Sequence, residues 1–462
     1  MPVSASLIAL LETNNITYQL KASHLRLARR QAPEALQSEA CSVQSWLMQD
    51  SSGYVHLLLP SDRILDLGAI QSQFGRALTA IPPEEITKLM TDHQLHGIPA
   101  IPGWQGYMTF VDASLLSHQT LWLDAGDSDE MLEVEMADFQ NMMGEACLAE
   151  ISAEAPQVPT DIAEDKSNIV HSLKQFTSLR IKERLEETLE LPPLPETAQR
   201  IIQLRSDPES DISDLSDIVE LDPSLAAQVV SWASSPYYSA PGKIKSVHDA
   251  IVRVLGFDMV MNLALGLALG KSFKNSVITS HQIKTYWENA VTTAAVVEGL
   301  VTSMPREHRP GFGLAYLSGL MHDFGYLIMA DTFPPYFANL SRHYDANPHI
   351  SPASVEQHLI GVSSCQVSSW LLGYWHMPEE VVTALRHQHN PNYDGEHAVY
   401  ANLLYVANHA IATNKTQLHT HSDAPDALFD SLQLDRATAE KNIENVVHAA
   451  EDLNAIAAKM RG

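Results

Sequence analysis

The first third of the chain alternates between apolar and polar residues in short stretches. WLMQD and YVHLLLP flank a turn at Ser52-Gly53, which predicts two strands joined tightly together. Residues 61–74 predict a turn and then a helix, while TFVDASLL and TLWLDAG predict further strand ends. LEVEMADF alternates and then opens a short helix. The mixture of the two periods predicts an α/β domain over residues 1–144.

The pattern changes in the next segment and again after it. Residues 145–168 are rich in Ala, Pro, Glu and Asp and hold no sustained period, so we interpret them as an acidic linker. From there on nearly every segment has a helical period, and no comparable strand pattern occurs after residue 190. We therefore predict an all-α domain over residues 169–415 and a helical extension over 416–462. The fold class is multidomain, with an α/β domain followed by an all-α domain.

Individual helix ends can be placed within the second domain. Asp222-Pro223 puts a capping residue before a proline at the first helical position. Ser246 begins another helix, which Gly256 stops. Residues 259–269 are apolar on every side, which predicts a fully buried helix. In the extension, one continuous helix over 435–459 would carry a single apolar stripe, for which we favour packing on the bundle over a dimer seam; the stripe consists of Ile443, Val446, Val447 and Leu453.

The charge balance argues against nucleic acid as a partner. Twenty-nine basic and fifty-six acidic side chains give a net charge of −27, which repels phosphate backbones unless a basic patch intervenes. The densest basic cluster is Arg26, Arg29 and Arg30, with Glu34 close behind. We therefore expect nucleic acid binding to be unlikely.

A cytoplasmic location is expected from three features. The cysteines Cys41, Cys147 and Cys365 form no CxxC pair or disulfide framework, as is usual in a reducing compartment. The first residues, MPVSASLIALLETNN, lack the basic region of a signal peptide. The most apolar stretch, residues 259–270, is shorter than the about 20 residues of a membrane span. We expect no membrane association.

Several motifs of the C-terminal half form an ordered set. They are Leu191-Pro192-Pro193-Leu194-Pro195, Asp222-Pro223-Ser224-Leu225, Ile244-Lys245-Ser246-Val247 with Ala250-Ile251, and Leu255-Gly256. The set resembles the HDOD family, and the resemblance continues through GLMHDFGYLIM and WHMPEEVVTALRHQHNP, covering roughly residues 185–415. This family is related to HD-type metal phosphohydrolases and occurs in bacterial regulatory proteins. The resemblance implies a signalling or scaffolding role.

The metal-ligand pattern of the related hydrolases is incomplete in this chain. That pattern is a His, then an adjacent His-Asp, then a distal Asp. The adjacent pair survives as His322-Asp323, but Asn289 and Asn408 stand at the first and last positions. A catalytic metal needs several convergent donors and an open position for water, and a neutral carboxamide supplies no charge.

Two interpretations of the surviving pair remain open. A metal could still bind to His322, Asp323 and His389, perhaps with His387; Gln388 stands where the family carries another His, and Ser364 where related sequences often carry one. Alternatively His322-Asp323 caps and cross-links buried helices through hydrogen bonds. We favour the second interpretation, expect no cofactor, and keep a divalent metal as the weaker alternative.

The N-terminal motifs also form an ordered set, spread over residues 5–143. They are LLETNNITYQL, the YVHLLLPSDRILDLGAI block, Gly97-Ile98-Pro99-Ala100-Ile101-Pro102, Val111-Asp112-Ala113-Ser114-Leu115, and Gly126. They resemble the YbaK-type aminoacyl-tRNA editing domains, which remove wrong amino acids from tRNA. The resemblance implies a pocket lined by the backbone of the Gly97–Pro102 loop.

The residue that this family uses to position the aminoacyl group is absent. Its lysine lies in a V-x-K-[ST]-L pattern, which reads Val43-Gln44-Ser45-Trp46-Leu47 here, so Ser45 replaces the lysine. We expect Trp46 to crowd the pocket. Residues 1–144 carry seven basic and seventeen acidic side chains, a poor surface for a tRNA acceptor stem.

The sequence thus predicts a non-catalytic signalling or regulatory scaffold with two degenerate pockets. No residue is predicted to be catalytic; Ser45, Asn289 and Asn408 mark the degenerate positions. Binding is expected at Gly97, Pro99, Pro102, His322, Asp323 and His389. The partner would be a regulatory protein, with a small molecule or nucleotide as a further ligand. The alternatives are a metal-dependent phosphohydrolase of the HD superfamily and an aminoacyl-tRNA deacylase.

Overall fold

The computed structural model describes residues 11–12, 16–22, 40–93, 95–126, 130–176, 194–238, 242–271, 280–415 and 424–460. The basic cluster at Arg26, Arg29 and Arg30 and the first part of the Leu191–Pro195 motif lie outside these residues. By their contacts the described residues divide into two compact units. Unit 1 contains the residues up to 157 with 338–359 and 413–415, and unit 2 contains 158–337, 360–412 and 424–460.

Unit 1 is built on a mixed β-sheet. Its strands run in the order β1-β8-β7-β2-β3-β6-β9, with β5 also paired to β2, and β4 and β10 form a separate pair. Neighbours β2/β3, β7/β8 and β1/β8 are antiparallel, whereas β2/β7, β3/β6 and β6/β9 are parallel. The strands are β1 Tyr18–Ala22, β2 Ala40–Asp50, β3 Gly53–Pro60, β4 Arg63–Leu65, β5 Thr79–Ala80, β6 Met108–Asp112, β7 Thr120–Asp124, β8 Glu130–Glu135, β9 Cys147–Ala149 and β10 Ser152–Glu154. The helices before residue 157 are α1 Leu67–Phe74, α2 Pro83–His93 and α3 Met136–Met142. The predicted α/β class is confirmed.

The sheet separates two apolar layers because side chains alternate along each strand. On β2, Val43 packs in a cluster with Leu58, whereas Trp46 and Met48 pack with Leu57 on the opposite face. The two-residue period therefore puts Trp46 on the face away from Ser45. The expectation that Trp46 crowds the Ser45 pocket was wrong.

The segment 145–168 is not the linker that its composition suggested. It contains β9, which extends the sheet beside β6, and β10, which pairs with β4. It also contains the first turns of helix α4, Ile162–Phe176. Strands of three residues are too short to produce a visible period, so composition alone misjudged the segment.

Unit 2 is helical, and no strand follows Glu154 among the described residues. Asp222 accepts a hydrogen bond from the Leu225 amide at 3.0 Å, and Ser246 accepts one from the Asp249 amide at 3.0 Å, as predicted for two caps. All residues from 259 to 269 are buried. From residue 158 onward the helices are α4 Ile162–Phe176, α5 Glu196–Arg205, α6 Ile212–Glu220, α7 Pro223–Ala233, α8 Val247–Ala250, α9 Phe257–Gly270, α10 Ser280–Ser303, α11 Phe312–Met321, α12 Phe324–Thr332, α13 Pro334–Ala346, α14 Pro352–Ile360, α15 Ser364–Tyr374, α16 Glu379–His387, α17 Ala398–Lys415, α18 Asp426–Ser431, α19 Arg436–His448 and α20 Ala450–Met460. Of these, α13 ends in unit 1 and α14 lies there up to residue 359.

The C-terminal extension differs from the single helix expected over 435–459. The chain turns at Ala449 and forms α19 and α20 instead. Ile443 and Val446 are buried, and Asn442 donates a hydrogen bond to the Ser303 hydroxyl of α10. The extension therefore packs on the helical unit. No helix in the described part of the chain is long and apolar enough to span a bilayer.

Candidate functional sites

His322 and Asp323 lie at the turn between α11 and α12, where helices approach closely. A Cβ on Gly319 would lie 2.7 Å from the Ala294 Cα of α10, and one on Gly325 would collide with the Ser364 carbonyl of α15. Because only glycine fits both positions, the pair is held between α10 and α15. The sequence GLMHDFG therefore positions the site.

The two side chains of the pair have different surroundings. The His322 Nδ1–H donates to the Gly319 carbonyl at 2.9 Å, and Nε2 lies 3.2 Å from Asp323 Oδ2. The His322 side chain is 8% exposed and that of Asp323 is 44% exposed. Asp323 stands at the first cap position of α12, but its side chain makes no capping hydrogen bond. The capping role expected for it was wrong, because its carboxylate extends towards solvent.

Two neutral side-chain amides lie next to the backbone of His322. The Gln388 side-chain amide donates to the His322 carbonyl at 2.9 Å and to the Leu385 carbonyl at 3.2 Å, and it lies 3.5 Å from the Cys365 sulfur. Asn408 donates to the Gln388 carbonyl oxygen at 2.9 Å. Gln388 is buried and Asn408 half-buried. The two substituted positions thus bond to each other instead of presenting charged donors.

The histidines around Gln388 differ from each other. His389 is exposed to solvent. His387 is buried and stacks on Tyr393 with ring centroids 3.8 Å apart. Burial and the neighbouring Arg386 lower the pKa of His387 to about 4. The His387 ring is therefore neutral at pH 7.

The described residues contain no group of three or more His, Cys, Asp and Glu side chains arranged to hold a metal ion. Asn289 lies half-buried on α10. Nearby on that helix, Tyr286 is buried, and its pKa is raised by burial and further by the charge of Asp323. His322, Asp323 and His389 are thus not arranged around a common metal position in the described part of the chain.

A buried ion pair beside this site was not foreseen from the sequence. Asp165 of α4 and Arg386 of α16 are 1% and 2% exposed, and the guanidinium donates to both carboxylate oxygens at 2.7 and 3.0 Å. Gln366 of α15 also donates to Asp165 at 2.7 Å. This bidentate pair joins α4 to α16, the helix that ends at His387 just before Gln388.

In unit 1, Ser45 belongs to a short hydrogen-bond relay. The His56 Nε2–H donates to Ser45 Oγ at 2.8 Å, and Ser45 Oγ–H donates to the Pro99 carbonyl at 3.1 Å. His56 is fully buried, which lowers its pKa to about 3. A neutral imidazole of such low basicity is a poor proton acceptor at pH 7. His56 was missed because one His inside an apolar strand gives no motif.

The Gly97–Pro102 loop is fastened to the end of β7. Gly97 and Ala100 donate backbone hydrogen bonds to the carbonyls of Gly126 and Asp124, at 3.3 and 2.8 Å. Gly126 has a φ of +79°, and a Cβ there would lie 2.9 Å from Pro99 Cγ. Pro102 is buried. Gly97, Pro99 and Pro102 thus belong to a packed turn; their predicted ligand binding stays a prediction.

Apolar side chains occupy the space around Ser45 on its face of the sheet. Leu47, Ile98 and Trp104 form one buried cluster, to which α2 contributes Met90. The His56 and Trp104 rings lie edge to face, 6.2 Å between centroids. Ser45 thus shares its face of the sheet with a buried cluster of hydrocarbon and aromatic groups.

Comparisons with known proteins agree with this architecture. A model of the HDOD domain matches residues 191–391, and a model of the aminoacyl-tRNA editing domain matches residues 24–142. A candidate signal transduction protein from Marinobacter aquaeolei VT8 is 37% identical, and its crystal structure superposes over 99% of this chain and 100% of its own, with a TM-score of 0.87. An HDOD domain protein of unknown function from Geobacter sulfurreducens is 21% identical over 64% of this chain and 99% of its own, with a TM-score of 0.49. An uncharacterised protein of Treponema pallidum (strain Nichols) is 22% identical over 210 residues, which span 46% of this chain and 39% of that relative's length.

An α/β editing-type unit followed in the chain by a helical HD-related unit defines a two-part protein of the HDOD class. The full-length match to the Marinobacter protein then places this chain in the family of HDOD-domain proteins that carry an N-terminal aminoacyl-tRNA editing domain. Both resemblances predicted from the sequence are confirmed.

Proposed function

We propose that this protein is a non-catalytic signalling or regulatory scaffold in which both enzyme-like sites have lost their chemistry. The observation that carries the proposal is the bond between Asn408 and Gln388, with Gln388 in turn bonded to the His322 carbonyl. In a working HD-type site the position of Asn408 would supply an aspartate to the metal, and the family carries a His at the position of Gln388. Two neutral amides that satisfy each other have no such capacity.

The editing-type site supports the same proposal by a different route. Ser45 supplies no positive charge, and its hydroxyl already bonds to His56 and to the Pro99 carbonyl. The buried apolar cluster of Leu47, Ile98 and Trp104 on the same face of the sheet disfavours a polar aminoacyl group. The acidic surface of residues 1–144 also disfavours a tRNA substrate.

In this role the protein would bind a regulatory protein partner, with a small molecule or nucleotide as a further ligand at the exposed Asp323 and His389. A ligand shifts a conformational equilibrium only by its differential affinity for the two states. The candidate signalling role of the Marinobacter relative supports this assignment. A cytoplasmic location is part of the proposal, and the three free cysteines support it.

Turnover assays on the full chain test this proposal. With added Mn²⁺, we expect bis-p-nitrophenyl phosphate and a panel of nucleotides to be hydrolysed no faster than in buffer. Mischarged alanyl-tRNA at low salt should likewise lose alanine at the uncatalysed rate. Hydrolysis that disappears in His322→Ala would establish a phosphohydrolase, and alanine release that disappears in His56→Ala would establish a deacylase; either result contradicts the proposal.

A further inference from the structure

Residues 338–359 lie within the part of the sequence that matches the HDOD model, yet they belong to unit 1. We call them the docking segment; they comprise most of α13 and of α14 with the loop between. The chain leaves unit 2 after Phe337 and returns to it at Ile360. The docking segment therefore joins α12, which follows Asp323, to α15, which carries Cys365.

The docking segment completes the edge of β4. Asn347 accepts a hydrogen bond from the Leu65 amide at 2.7 Å and donates one to the Leu65 carbonyl at 3.1 Å. His349 Nε2–H donates to the Arg63 carbonyl at 3.0 Å. Asn347 and His349 are two residues apart, and so are their partners Leu65 and Arg63, so these bonds resemble the hydrogen-bond ladder of a neighbouring strand. The other edge of β4 pairs with β10. Side chains thus satisfy backbone groups that would otherwise be left unpaired.

Further contacts hold the same segment. Arg342 donates to the Leu78 carbonyl at 2.9 Å, and Ala346 is buried in the apolar cluster of Ile70 and Phe110. The His349 ring lies 5.5 Å from that of Trp46, on the face of the sheet away from Ser45. Unit 1 therefore has a specific receptor surface for the docking segment.

One buried histidine of the segment lacks a partner for its second nitrogen. His343 is 2% exposed, and its Nδ1–H donates to the Asn339 carbonyl at 2.9 Å. Nε2 is buried without a hydrogen-bond partner among the described residues. The charged or titratable groups that act on it are Asp66 at the start of α1, His358 of α14 and Arg342 of α13. Asp66 is already engaged, because Oδ1 accepts from the Ala69 amide and Oδ2 lies 4.0 Å from His358 Nε2.

We propose that the docking segment is an acid-releasable latch, held by unit 1 at neutral pH and freed when His343 takes up a proton. A proton on Nε2 would place an N–H and a positive charge in a buried position that has no acceptor. Consistent with this, burial lowers the pKa of docked His343 below its ordinary 6.5. The docked segment is therefore fully stable above about pH 6.5, and its docking weakens as the pH falls below 6.5. The regulatory meaning of the latch rests on the proposed scaffold function, since residues of the HD-type site, Asp323 and Cys365, lie before and after the segment in the chain.

Hydrogen–deuterium exchange of the full chain at pH 7.5 and 5.5, corrected for intrinsic exchange rates, tests the latch. In peptides from 338–359 and 63–70, protection from exchange should fall about tenfold at pH 5.5. This factor is expected when His343 has an ordinary pKa of about 6.5 in the released segment and stays unprotonated in the docked one. Peptides from α9 should not change. His343→Gln should abolish the loss, whereas the control His96→Gln, at an exposed histidine of the same unit, should retain it. Asn347→Ala should reduce protection of both regions already at pH 7.5.

Equal protection of the docking segment at both pH values would overturn the latch. An undiminished loss in His343→Gln would overturn it too, because the release would then not depend on His343. If His343→Gln does not fold, His343→Leu makes the same test with an apolar side chain. Turnover at either enzyme-like site would contradict the scaffold function but leave these exchange results unchanged, so the two failures can be told apart.

Discussion

Replacing Arg386 by Ala should lower the free energy of unfolding of the helical unit by about 3–5 kcal/mol, because it leaves the buried Asp165 carboxylate without its countercharge. Both side chains are almost completely buried, and the guanidinium bonds to both carboxylate oxygens. Gln366 would remain as a donor to Asp165, but a neutral amide does not balance a buried charge. Denaturant unfolding of the full chain, followed by far-UV circular dichroism, measures the loss.

Two variants control this experiment. Arg200→Ala removes an exposed ion pair, in which the Arg200 side chain is 46% exposed and that of Glu196 is 77% exposed. The substitution should lower the free energy of unfolding by no more than about 0.5 kcal/mol. The double variant Asp165→Leu with Arg386→Met removes both charges and should recover most of the lost stability. A loss in Arg386→Ala no larger than that in Arg200→Ala would show that the pair does not anchor α4.

Ser45→Lys, which restores the editing family's lysine, should destabilise unit 1 by several kcal/mol and should not create deacylase activity. Ser45 is 6% exposed and lies beside the cluster of Leu47, Ile98 and Trp104. A lysine there would have to bury its ammonium without a carboxylate partner, or break the relay through His56 to reach solvent. Thermal unfolding and alanine release from mischarged tRNA measure the two effects.

The matched control is Ser72→Lys, an exposed position on α1 of the same unit, which should leave stability within about 0.5 kcal/mol of the wild type. A Ser45→Lys protein that unfolds at the wild-type temperature and releases alanine would show that an open editing pocket exists. In that case the replacement of the family's lysine by Ser45, and not the packing around Ser45, would account for the loss of deacylase activity.

Features encoded by neighbouring residues could be predicted from the sequence. The β2–β3 hairpin, the caps at Asp222 and Ser246 and the buried helix α9 each follow from a local period or a local hydrogen bond. The degenerate positions Asn289, Asn408 and Ser45 could be named because both families have ordered motifs. The placement of Trp46 also follows from the two-residue period of β2, and the expectation that it crowds Ser45 neglected that period.

Contacts between distant parts of the chain could not be predicted in the same way. Asp165 and Arg386 are 221 residues apart in sequence, and Asn347 and Leu65 are 282 apart. An isolated Asp, Arg or Asn carries no local signal of its partner. The bond between Gln388 and Asn408 belongs to the same class, although both residues had been singled out as departures from the family pattern.

We propose that substitution by neutral amides has removed the metal from the HD-type site. Elemental analysis of the purified full chain by mass spectrometry, after growth with added Mn and Fe, tests this claim directly. We expect far less than one equivalent of Mn, Fe or Zn per chain, with no difference between wild type and His322→Ala. One tightly bound ion per chain that is lost in His322→Ala would contradict it.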